Sequence, residues 1–133
     1  MAALEGGVAA VAVASGQAAQ MITIMNIMKS GDNFVTSPYL YGGTYNQFFV
    51  SFKDLGIEAR KAASDKAEDM EKLIDANTKA LYTENIGNPY FNVPDFEKLT
   101  NKTAGVKVVY NRTQRYCKTW FKDSAVIVEV FKM

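Results

Sequence analysis

Val8-Ala9-Ala10-Val11-Ala12-Val13-Ala14-Ser15-Gly16-Gln17-Ala18-Ala19-Gln20-Met21-Ile22-Thr23-Ile24-Met25-Asn26-Ile27-Met28 is the stretch whose reading decides the fold. Its opening run of Ala and Val predicts a strand apolar on both faces, the pattern of a parallel sheet. Ser15-Gly16-Gln17 then reads as a tight turn, and residues 17–29 as a helix with Ser15 as its N-cap. Met21, Ile22, Ile24, Met25, Ile27 and Met28 cover most of the helix circumference, so the helix is expected to be largely buried. Strand, glycine turn and helix make a βα unit, and its turn aims free backbone N–H groups and the positive helix end at an anion.

Outward from this unit the chain keeps alternating. Upstream, Met1 to Leu4 read as a last helical turn stopped by Gly6-Gly7. Downstream, Ser30-Gly31-Asp32 ends the helix, residues 33–37 form a second strand closed by Pro38, and Tyr39-Leu40-Tyr41-Gly42-Gly43-Thr44 opens a helix over residues 44–55. Further strands are expected at residues 57–62, 79–83, 106–110 and 124–131. Asp65 and Glu68 form a capping-box pattern ahead of a helix whose inner face is Met70, Leu73 and Ile74. Gly87-Asn88-Pro89 reads as a tight turn and residues 95–99 as a short helical segment. The alternation predicts a three-layer α/β fold: a mainly parallel sheet of five or six strands with helices on both faces.

At 133 residues the chain is long enough for one domain, here residues 1–133, burying roughly two thirds of its unfolded surface. The formal net charge is +1, but residues 98–133 hold eight Lys or Arg against two acids, whereas residues 1–97 hold seven against twelve, so the tail is the basic end. The single cysteine, Cys117, excludes an internal disulfide and suits a reducing compartment. The absence of histidine removes every Ser-His or Cys-His dyad and most zinc sites, and no metal is expected. Glu5, with no basic residue before Lys29, argues against a signal peptide, and no uncharged apolar run demands a membrane span. The chain is therefore expected to be cytoplasmic with no membrane partner. Asn101-Lys102-Thr103 and Asn111-Arg112-Thr113 match a glycosylation pattern, which in such a compartment is chance.

Ala3-Leu4-Glu5-Gly6-Gly7, Ala14-Ser15-Gly16-Gln17-Ala18-Ala19-Gln20, Tyr39-Leu40-Tyr41-Gly42-Gly43-Thr44-Tyr45-Asn46-Gln47-Phe48 and Glu84-Asn85-Ile86-Gly87-Asn88-Pro89 together closely resemble the O-acetylhomoserine sulfhydrylases. These belong to the Cys/Met-metabolism group of pyridoxal-phosphate (PLP) enzymes, and the likeness spans about residues 1–100. It implies the large domain of the fold-type I PLP fold. It also implies a cofactor-binding set of Ser15, Gly16, Gln17, Tyr41, Glu84 and Asn88. Gly16 and Gln17 would offer N–H groups to the phosphate, Tyr41 would stack on the pyridine ring, and Glu84 and Asn88 would lie near the ring. Taken singly these residues have plainer readings, as a turn glycine, a core aromatic and a turn Asn-Pro.

The departures from the family pattern matter as much. Where the family has Val-Val-Asp-Asn-Thr, this chain has Val108-Val109-Tyr110-Asn111-Arg112, so a phenol stands in place of the acid that pairs with the ring nitrogen. The Ser-Ala-Thr-Lys pattern around the cofactor-binding lysine has no match in the 133 residues. The family sheet order, 3-2-4-5-6-7-1, would leave the first strand without its seventh-strand neighbour, and residues 124–131 are apolar enough to pair beside it. From about residue 101 the match fades into a basic, aromatic tail in which Arg112, Arg115, Tyr116, Lys118, Trp120 and Lys122 are candidate interaction residues.

The resulting expectation is a truncated, catalytically incomplete sulfhydrylase-like protein. Its task would be to bind or inhibit another protein or an RNA-bearing complex, for example as an anti-CRISPR-type inhibitor of a nucleic-acid-guided nuclease. A homodimer is the other partner considered. No resident cofactor is expected under that reading. Residual PLP or phosphate binding, or a place in sulfur amino-acid metabolism, is the alternative.

Overall fold

The computed structural model describes residues 2–5, 9–102, 106–112 and 125–129, the last two of these stretches chiefly by their backbone. Five parallel strands, β1 (Asn33–Thr36), β2 (Glu58–Lys61), β3 (Thr78–Glu84), β4 (Lys107–Arg112) and β5 (Ala125–Glu129), stand in the order β2-β1-β3-β4-β5. Counted along the chain as read above, this is the 3-2-4-5-6 portion of the expected order. The helices are α1 (Ala2–Glu5), α2 (Gly16–Ile27), α3 (Gly42–Asn46), α4 (Phe52–Asp54), α5 (Ala67–Glu71) and α6 (Phe96–Lys102). A π-helical turn at Gln47–Ser51 joins α3 to α4, so one helical rod runs through the segment expected to be helical.

Alternation along the central strands separates two cores, because successive side chains leave a strand on opposite faces. Phe34, Ala80 and Tyr82 face one way and pack with Ile24, Met28, Leu40, Phe48, Phe52 and Ile57. Val35 and Leu81 face the other way and pack with Ala62, Ala67, Met70 and Leu99. Phe48 is the hub of the first core, edge-on to Phe34 at 4.9 Å and to Tyr82 at 4.6 Å between ring centroids. Each such pair adds about 0.5–1.5 kcal/mol beyond the area it buries. At the amino ends of the strands, Asp75 accepts from Arg60 (2.6 Å) and Asn33 (2.9 Å), and these bonds hold its carboxyl well below the usual carboxylate range. The α2–β1 connection turns at Gly31, whose φ of 93° is open to glycine and costly for most other residues.

Three expectations fail. Residues 9–14 form no strand and are exposed, Val11 to 83%, although their apolar sequence fits a buried one. A strand needs hydrogen-bonding neighbours, and apolarity alone does not supply them. β5 pairs with β4 and not with this run, and it is α2 that lies near β5. Second, α2 is not largely buried: Gln20, Ile24 and the cap Met28 face inward, whereas Ile22 and Met25 are about half exposed at 53% and 52%. Third, Asp65 does not cap α5. Its carboxylate accepts from Asn92, Lys66 takes the N-cap position, and Ser64 accepts the Lys66 N–H while donating to Asp69. Among the described residues no helix is long and apolar enough to cross a membrane.

Candidate cofactor site

In open parallel sheets, ligands bind beyond the carboxyl ends of the strands where the connections diverge. Here that point is β1 and β3, because β1 has β2 on one side and β3 on the other. Leaving β1, the chain crosses the end of β3: Ser37 N–H donates to the Tyr82 carbonyl at 3.0 Å, and Tyr41 N–H donates to Glu84 Oε1 at 3.0 Å. Asn88, in the turn after β3, donates its N–H to the Tyr39 carbonyl at 3.4 Å. The Asn88 side chain is exposed beside the crossing.

The N-terminus of α2 meets this crossing. Ser15 is extended and its hydroxyl accepts the Ala18 N–H at 3.1 Å, so it caps the helix as expected. Gly16 and Gln17, in the first turn, have N–H groups with no acceptor inside the helix. Gly43 lies between the two elements. A Cβ added there would sit 2.5 Å from Tyr41 Cε1 and 2.7 Å from Gln17 Nε2, so the absence of a side chain is what lets the Tyr41 ring and the Gln17 amide both lie against the backbone at this point. Gln47 Nε2 adds a bond of 3.0 Å to the Gln17 carbonyl.

Ser15, Gly16 and Gln17 at the start of α2 thus stand beside the crossing that carries Tyr41 and Glu84, a region termed the cup, with Asn88 at its margin. The Tyr41 ring is not a core aromatic: the residue is 60% exposed. Glu84 is buried at the end of β3, and burial raises its carboxyl above the ordinary value against the opposing Tyr41 N–H and Thr44 hydroxyl. Of the expected interaction residues, Arg112 ends β4 in register with Glu129, and Arg115, Tyr116, Lys118, Trp120 and Lys122 lie outside the described residues. Among the described residues no group of three or more His, Cys, Asp or Glu is placed to hold a metal.

Sequence reading missed Gln20, Gly43, Thr44 and Tyr82. Gln20 Nε2 donates to Thr44 Oγ1 at 3.1 Å and to Tyr82 Oη at 2.7 Å beneath the cup. The available signal was a polar residue four positions before Ile24 and eight before Met28, on the face those two share. Two unclaimed N–H groups at a positive helix end suit a phosphate, and an exposed aromatic across a side-chain-free gap suits a flat ring.

Fold and site together define the class: an open parallel α/β protein with a helix N-terminus and an exposed aromatic gathered at the carboxyl ends of its strands. The comparisons with known proteins narrow the class. The family described as Cys/Met metabolism PLP-dependent enzyme matches residues 1–113, and the chain belongs to that family. Homocysteine/cysteine synthase of Kluyveromyces lactis is 57% identical over 115 residues, 85% of this chain and 26% of that protein. O-acetyl-L-homoserine sulfhydrylase 1 of Thermus thermophilus is 46% identical over 116 residues, covering 85% of this chain and 28% of its own length. Among solved structures, the O-acetylhomoserine sulfhydrylase of Wolinella succinogenes superposes with a TM-score of 0.80 at 32% identity, over 84% of this chain and 32% of that one. The fold is accordingly that of the fold-type I PLP-dependent transferases. The chain spans about a quarter of the length of the curated relatives it matches.

Proposed function

We propose that this chain is the phosphate-holding and ring-holding portion of an O-acetylhomoserine or homocysteine sulfhydrylase-type protein, and that the cup at the α2 N-terminus takes pyridoxal phosphate. The observation that carries the reading is Gly43, where a side chain would collide with both the Tyr41 ring and the Gln17 side-chain amide. The Gly16 and Gln17 N–H groups would hold the phosphate, while the Ser15 hydroxyl satisfies the neighbouring Ala18 N–H. Tyr41 would cover one face of the ring. Glu84 anchors Tyr41 through its main-chain N–H, and Asn88 stands at the edge of the cup. When bound, the cofactor supplies an electron sink for bonds at the carbon bearing an amino group.

Of the two readings made from the sequence, the sulfhydrylase-type one draws support from the family and from relatives named for that activity. The inhibitory reading rests on exposed apolar residues such as Ile22 and Met25, which name no partner, and on the basic, aromatic tail, most of whose candidate residues lie outside the described ones. Equilibrium dialysis against pyridoxal phosphate, with absorbance read after exhaustive washing, tests the proposal. Gly16→Asp places a carboxylate where the phosphate would sit and should weaken binding more than about tenfold. Binding unchanged in Gly16→Asp, or no binding to the parent chain, overturns it.

A further inference from the structure

Two glutamines cross the seam between α2 and the rod that begins with α3. Gln20, 2% exposed, donates through Nε2 to Thr44 Oγ1 and to Tyr82 Oη, and Gln47 donates through Nε2 to the Gln17 carbonyl. The Oε1 atoms of both are buried without a protein partner. A buried carboxamide with one unpaired end is costly, and methionine would fill nearly the same volume without that cost. What the two amides share is the use of their Nε2 ends: each ties the phosphate side of the cup to the ring side. Gln20 lies one turn beyond Gly16, and Thr44 directly follows Gly43. Gln47 also opens the π-helical turn, and its backbone N–H is shared between the Gly43 and Thr44 carbonyls. Wide turns of this kind recur where a helix must place a side chain that regular geometry would not.

We propose that Gln20 and Gln47 are positioning residues, a two-amide clamp that fixes the separation between the phosphate-binding turn at Gly16 and Gln17 and the ring platform at Tyr41. The inference rests on the reading of the cup as a pyridoxal phosphate site. A ligand that reaches both sides gains from their fixed spacing, whereas a ligand that touches one side does not.

The test uses Gln20→Met and Gln47→Met in the full chain with three probes that form no covalent bond: inorganic phosphate, pyridoxine and pyridoxine 5′-phosphate. Each variant should weaken pyridoxine 5′-phosphate at least about fivefold while inorganic phosphate and pyridoxine stay within about twofold. Equal weakening of all three, the mark of a general structural role, overturns the clamp, as does no change in any. If the parent chain binds none of the probes, the cofactor reading itself falls. Amide hydrogen exchange without ligand then decides the clamp alone. Gln20→Met should speed exchange at residues 43–47 by about tenfold and leave residues 25–28 unchanged, and unaltered exchange at residues 43–47 overturns the proposal.

Discussion

Gly43→Ala separates what the fold needs from what the cup needs. The added methyl would sit 2.5 Å from Tyr41 Cε1 and 2.7 Å from Gln17 Nε2, both inside ordinary contact, so both must retreat by about 1 Å. Gln17 can yield at the end of a flexible, exposed side chain, and the Tyr41 ring, 60% exposed, can swing outward. Neither movement disturbs the Phe34, Phe48 and Tyr82 core. Alanine is also the better helix former, by up to about 1 kcal/mol. The melting temperature should therefore stay within about 4 °C of the parent or rise slightly. Cofactor binding should respond differently, because a displaced ring forfeits a stacking contact of about 0.5–1.5 kcal/mol. That range corresponds to a roughly two- to twelvefold rise in the dissociation constant for pyridoxal phosphate. Scanning calorimetry and equilibrium dialysis on the same preparation decide the matter. Unchanged affinity would show that the ring is no platform, and a fall of more than about 8 °C would show that the glycine serves the core.

Glu84→Gln keeps an acceptor for the Tyr41 N–H and removes the buried charge. Because burial raises the folded carboxyl above its ordinary 4.5, the parent keeps this group's full stability below that value and loses it as pH rises through the folded value. The melting-temperature advantage of the variant should therefore grow with pH above about 4.5, and a flat or falling difference would refute it. Phe48→Ala, which empties the centre of the first core, should cost about 3–5 kcal/mol by denaturant titration, and a loss under about 1 kcal/mol would contradict the packing described. Deleting residues 120–133 removes β5 from the β4 edge and should leave aggregated protein; a soluble, cooperatively melting product would count against that pairing.

Where local chemistry determined the outcome, the sequence was readable. Asn33-Phe34-Val35-Thr36 sits between Gly31 and Pro38, punctuation that admits a short strand and little else, and β1 forms there. Ser15 caps α2 because a hydroxyl in extended backbone reaches the first-turn N–H whatever the tertiary surroundings. The Ala-Val run failed for the opposite reason: a strand is a property of a pair, and no residue within the run says whether the pair exists. The cup divides the same way. Ser15, Gly16, Gln17 and Tyr41 lie in short motifs with a local rationale. Gln20 depends on Thr44 and Tyr82, 24 and 62 residues away, and reads only as a polar interruption until the fold brings them together.

The division between holding a cofactor and using it follows from which elements build the cup. The contacts described there come from α2, the β1–α3 connection, the rod beginning at α3, the end of β3 and the turn after it. Position 110 lies on β4 in register with Thr83, one residue short of the Glu84 level, and carries a phenol where the resemblance expects an acid. Glu84 is poorly suited to replace that acid, because its carboxyl is buried, raised by that burial, and already accepting from Tyr41 N–H and the Thr44 hydroxyl. A tyrosine at neutral pH carries no charge with which to pair a ring cation. The proposed phosphate and ring contacts do not involve position 110, so affinity for the cofactor and reactivity of the bound cofactor are separate measurements, and the substitutions at Gly16, Gly43 and Gln20 bear on the first alone.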